Sequence, residues 1–183
     1  MHKSNRRAAF LGSFVVALLV VLGLAAGFGG SSARAQGMAS HPAHVHEGLC
    51  PAPGKVVYPL TDVSSAMSAN GTPMATGDMM GAASAIPVES SVTKIAVKLA
   101  DIADGNHAIV VHESMANIGN YIVCGDIGGT MMGASDLAIG LGTLNSSGYS
   151  GVAWLHDNGD GSTNVSIFLT STGAMGASST PTS

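Results

Sequence analysis

The sequence predicts an all-β domain, on three observations. Gly, Ser and Thr are abundant while aromatic residues make up only 4% of the chain. No stretch beyond residue 35 carries a sustained 3.6-residue apolar period, so a helical domain is excluded. Short apolar-rich segments are instead separated by turn-forming residues, and the clearest has Thr93, Ile95, Val97 and Leu99 alternating with Lys94, Ala96 and Lys98. That alternation marks a strand with one buried face.

The chain opens on a basic segment, Met1-His2-Lys3-Ser4-Asn5-Arg6-Arg7, followed by an almost uninterrupted apolar stretch from Ala8 to Phe28 and then Ala33-Arg34-Ala35. This order predicts a signal peptide over 1–35 with a small-x-small cleavage site. An uncleaved anchor is the alternative, since about 20 apolar residues can span a bilayer. The Arg6-Arg7 pair is compatible with twin-arginine export. Cleavage after Ala35 would leave Gln36–Ser183 as one exported domain of ordinary size, periplasmic, extracellular or at the cell surface, and free of the membrane.

Within that domain, strands are expected at Ala43–Glu47, Lys55–Leu60, Val92–Leu99, Ala108–Glu113, Tyr121–Cys124, Leu137–Leu144, Tyr149–His156 and Asn164–Thr170. Asn145-Ser146-Ser147-Gly148 and Asp157-Asn158-Gly159-Asp160-Gly161 are hairpin turns. The second turn is acidic, but its carboxylates lack the calcium-loop spacing and terminal Glu, so turn chemistry explains it. Residues 64–85, almost without charge, read as a long loop, and 171–183 as a disordered tail, leaving 36–170 as the domain proper.

Without the leader, three lysines face eleven carboxylates, a net charge of −8. Nucleic acid is excluded as a partner, because phosphate backbones require clustered Lys and Arg. The two cysteines, Cys50 and Cys124, both lie in the exported part, where disulfides persist; two separate buried thiols are the alternative. Oligomeric state is not legible.

Three of the six histidines beyond the leader stand in His41-Pro42-Ala43-His44-Val45-His46-Glu47. On a strand, residues i and i+2 share a face, so His44 and His46 can present imidazoles to one metal while Val45 points to the core. His112, in the apolar run Ile109-Val110-Val111-His112-Glu113, is the best third ligand, with His41 a further candidate. Plain polar alternation on a surface strand explains an H-x-H equally well. Imidazole sites without thiolates suit copper or zinc. Met67, Met74, Met79 and Met80 could add soft ligands but read better as composition, and His107 and His156 as ordinary side chains.

Four motifs in order, His41-x-x-His44-Val45-His46-Glu47, Gly48-x-Cys50, Val110-Val111-His112-Glu113 and Cys124-Gly125-x-Ile127-Gly128, resemble the Cu/Zn superoxide dismutase family. The resemblance covers His41 to Gly128. It implies a Greek-key antiparallel β-sandwich or barrel, copper on His44, His46 and His112, and a Cys50–Cys124 disulfide. The family's opening strands have no room before His41, and Leu137–Thr170 is similar to them. This suggests a circularly permuted chain, whose C-terminal strands should then pair beside Ala43–Glu47. Val56 stands where the family has its metal-bridging histidine, so the resemblance implies no zinc. Tyr121 stands nearest the family's anion-guiding arginine. A copper-dependent dismutase of superoxide, a non-catalytic copper-holding protein and a metal-free structural sandwich are the readings that remain.

Overall fold

The computed structural model describes residues 40–65, 81–82 and 85–172. The expected leader, the four loop methionines and the tail beyond residue 172 lie outside the described residues. Among the described residues the strands are β1 (Ser40–His41), β2 (Ala43–Glu47), β3 (Val56–Pro59), β4 (Val63–Ser65), β5 (Glu89–Ile95), β6 (His107–His112), β7 (Tyr121–Asp126), β8 (Met131–Met132), β9 (Asp136–Thr143), β10 (Tyr149–Asp157) and β11 (Thr163–Ser171), with one helical turn, α1 (Leu99–Ile102). The all-β expectation holds.

The strands form one antiparallel path, β1-β4-β5-β11-β10-β9-β7-β6-β2-β3, with β8 paired to β9. The path curls so that its two halves share a core. Val45, Ile109, Val111 and Val123 from the β2–β6–β7 half meet Ile139, Leu155, Val165 and Ile167 from the β9–β10–β11 half in one buried cluster. These are the alternate residues of their strands, which is why the period-2 pattern was visible. Each fully buried Val, Leu or Ile stabilises by roughly 1.5–3 kcal/mol. The two ends of the path are tied covalently rather than by pairing. Pro42 alone separates β1 from β2, and Leu60–Asp62 joins β3 to β4, with the Leu60 N–H donating to the Ala43 carbonyl at 2.9 Å.

Five differences from the expected elements have local causes. β5 begins at Glu89 and ends at Ile95, because its partner β11 pairs Ile95 with Thr163 at that strand's first residue. Val97 and Leu99 still pack on the core, but Leu99 opens α1 instead of closing a strand. β1, β4 and β8, of two or three residues each, are too short to carry a period. Val63–Ser65 therefore takes the first residues of the expected loop. Finally, the C-terminal strands do not pair beside Ala43–Glu47. Both edges of β2 are occupied, by β3 and β6, and β9 joins the sheet at β7. The permuted arrangement fails the pairing set for it.

The hairpin turns are where the sequence put them. Asn145 and Ser146 have φ of 50° and 54°, the left-handed pair that matches strand twist in a tight hairpin. In the acidic turn, the Asp157 carboxylate accepts from the Gly159 N–H at 2.8 Å and Asp160 accepts from Lys94 at 2.9 Å.

Candidate metal centre

His44 and His46 lie on β2 and His112 at the end of β6. Antiparallel pairing sets His44 opposite Val110, so His112, two residues further along the same face, lies diagonal to His44. The register of β3 against β2 shifts between Val45 and His46, and that of β7 against β6 between Val111 and His112. Bulges of this kind re-aim side chains beside functional sites. Here both occur at a histidine of the cluster.

One potential ligand atom from each of the three residues lies within 4.8 Å of the others. The anchoring of the rings says which atoms these are. The His46 Nδ1–H donates to the Gly54 carbonyl at 2.8 Å and the His112 Nδ1–H to the Ile118 carbonyl. Each bond fixes a tautomer and leaves Nε2 with a free lone pair. His44 Nδ1 stands 2.9 Å from His112 Nε2. His46 Nε2 is buried and without any hydrogen-bond partner, a costly state for an imidazole nitrogen unless something else occupies it. Burial, then the neighbouring His46, holds His44 below the ordinary 6.5. Burial also lowers His112, against the pull of the Ile118 carbonyl. Both shifts favour the neutral imidazole at His44 and His112, the form that binds metal.

The surroundings follow from the strands. Tyr121, the direct partner of His112, places its ring edge-on to it with centroids 5.0 Å apart. The loop between β2 and β3, which supplies the Gly54 carbonyl, is fastened by the Cys50–Cys124 disulfide and by the Cys50 N–H donating to Asp126 at 2.7 Å. His46 is thereby almost wholly covered, while His44 keeps part of its ring exposed.

No family model, curated protein or solved structure matches this chain.

Of the sequence-predicted site residues, the structure brings His44, His46 and His112 together and joins Cys50 to Cys124. His41 does not join them. Its ring is buried beneath the sheet, where Nδ1–H donates to the Glu113 carbonyl at 2.7 Å and lies 3.2 Å from the His112 carbonyl. Its Nε2 faces the Tyr149 hydroxyl at 3.3 Å and a Glu89 oxygen at 3.4 Å. Burial raises Glu89 above the ordinary carboxylate value. His41 lies on β1, which pairs with β4 in the other half of the path, so its side chain reaches the backbone behind His112 rather than the imidazoles. It ties the end of β6 to β1. His107 and His156 bind Asp104 and Asp136, each at 2.8 Å.

Sequence reasoning missed the carbonyls of Gly54 and Ile118, since backbone acceptors carry no residue signature. The weak signal was Gly54 itself, where an added Cβ would meet the Glu47 carbonyl oxygen at 3.2 Å.

Proposed function

We propose that this is an exported, copper-binding protein of superoxide dismutase type, with one copper ion held by His44 Nδ1, His46 Nε2 and His112 Nε2. The observation that carries the reading is the buried, unpartnered His46 Nε2 at the convergence of two further imidazole nitrogens. A three-imidazole donor set without thiolate suits copper or zinc, and divalent copper binds nitrogen ligands more tightly than zinc does. The disulfide fits the oxidising compartment that the leader implies.

Copper bound there would supply the Cu(II)/Cu(I) couple that alternate oxidation and reduction of superoxide requires. The residues of this chain hold the donor atoms in place through the Gly54 and Ile118 carbonyls, keep water from His46, and leave His44 as the open side. Substrate attraction is their weak point. The exported part contains no arginine, Lys55 is committed to Glu47 at 2.9 Å, and the position next to His112 is filled by neutral Tyr121. A net charge of −8 also opposes an anion. That specific lack favours a second reading, a copper-holding protein with little turnover.

A Cu(II) titration of the oxidised exported domain, read by calorimetry and electron paramagnetic resonance, tests the site. One tight copper per chain is expected, absent from a His44→Ala/His46→Ala/His112→Ala variant; equal binding by that variant would overturn the proposal. Superoxide turnover of Tyr121→Arg separates the two readings. It rises above wild type if the copper is competent and short only of attraction, and stays at background in a holder.

A further inference from the structure

The outer face of the β9–β10–β11–β5 half carries an apolar patch that the metal centre does not explain. Val92, Val152, Trp154 and Phe168 are 63%, 48%, 42% and 42% exposed. The register makes them neighbours. Gly140, Val152, Phe168 and Ser90 form one cross-strand row, and Ala138, Trp154, Ser166 and Val92 form the next. The largest apolar patch on a protein of this kind is often functional. The third row, Asp136, His156, Asn164 and Lys94, places an acid at the β9 end and a base at the β5 end.

We infer that this face is the surface on which a second copy of the chain docks, through a two-fold axis parallel to the strands. That operation sets β9 of one copy over β5 of the other, and β10 over β11. Asp136 then faces Lys94 twice, Trp154 sits over the small Ser166, Val152 meets Phe168, and Ala138 meets Val92. Apolar residues meet apolar residues or small ones, and opposite charges meet, as a self-complementary interface requires. A two-fold axis perpendicular to the strands instead lays β9 on β9 and β5 on β5, so each charge meets its own strand and the pairing is lost. Trp154 is pre-set for the role, because its indole N–H donates to Asp136 at 2.9 Å and fixes the ring. Lys94 exchanges part of its contact with Asp160, 2.9 Å away in the monomer, for the partner's carboxylate.

Strands about 4.8 Å apart and same-face residues about 6.8 Å apart give a footprint on the order of 400 Å² per copy. That is about half the area per partner of a standard specific interface, so the dimer is a weak, dissociating one. The face lies on the opposite layer from the histidine cluster, and pairing leaves the centre open.

Sedimentation velocity of the oxidised exported domain from about 5 to about 500 μM tests the inference. A concentration-dependent shift from monomer to dimer is expected, abolished in Trp154→Glu and in Phe168→Glu while copper binding is unchanged. Mixing Val92→Cys with Ala138→Cys chains under mild oxidation should give a cross-linked heterodimer, and a control pair of Ala138→Cys chains should not. A strict monomer throughout, or a dimer indifferent to both glutamates, would overturn the inference. Retention of that monomer on insoluble polysaccharide would assign the aromatic face to carbohydrate instead.

Discussion

Replacing both cysteines, as Cys50→Ala/Cys124→Ala, tests the stability of the fold and the geometry of the proposed metal centre together. The bridge spans a sequence separation of 74 residues. Releasing it frees the unfolded chain from a loop of that size, which the chain-entropy treatment puts at about 4.5 kcal/mol. Alanine keeps the buried environment of Cys124, which packs with Ala108 and Val110. For a domain of this size the loss corresponds to a fall in melting temperature of roughly 10–20 °C. The assay is thermal and urea unfolding of the metal-free domain, followed by circular dichroism, with native and variant at one pH. Copper affinity is the second readout. The freed loop carries the Gly54 carbonyl that orients His46, and loss of such outer support costs about 10–100-fold. The Cys50 N–H still bonded to Asp126 holds the effect toward the lower figure. A stability loss below about 1 kcal/mol would refute the loop-entropy reasoning, and an unchanged copper affinity would refute the anchoring role of Gly54.

Metal-free stability should fall on acidification below 6.5, the ordinary histidine value, because His44 and His112 are held lower in the folded state and the unfolded chain takes up their protons first. The slope of unfolding free energy against pH should flatten in a His44→Gln/His112→Gln variant. Asp160 should titrate at about 2 by carbon NMR, and Ser162→Ala should raise it more than Lys94→Ala does, since the Ser162 hydrogen bond is the larger cause. Gly151→Ala should destabilise by about 2 kcal/mol or more in urea unfolding, as its Cβ would fall 2.1 Å from the Phe168 carbonyl oxygen. Gly119→Ala, with nothing within 4 Å, should stay within about 0.5 kcal/mol of wild type.

The long strands were legible because each buries one face against the shared core, and alternation records that. β2 was bounded to the residue, since Ala43 and Val45 are buried on the core side while His44, on the other, keeps some exposure. The histidine cluster was legible for the same reason: His44 and His46 at i and i+2 share a face whatever the wider topology. What depended on topology was not. His41 is two positions before Ala43, yet β1 leaves the β2 sheet for β4, and no local pattern announces a strand of two residues crossing between layers. The order of strands in the sheet was likewise hidden. Whether β9 met β2 or β7 was decided by which edges β3 and β6 had already filled.

The ends of the sheet path bear on how this protein resists aggregation. An exposed strand edge is a template for adding another chain, and natural sheets guard it. Here one terminal strand, β1, is two residues long, and the other, β3, is four residues closed by Pro59. Neither offers a run of free backbone groups long enough to start cross-β growth. The short crossings at Pro42 and Leu60–Asp62 keep both ends anchored to opposite layers. Lengthening those crossings with flexible residues would turn a guarded fold into one whose edges recruit each other into fibrils.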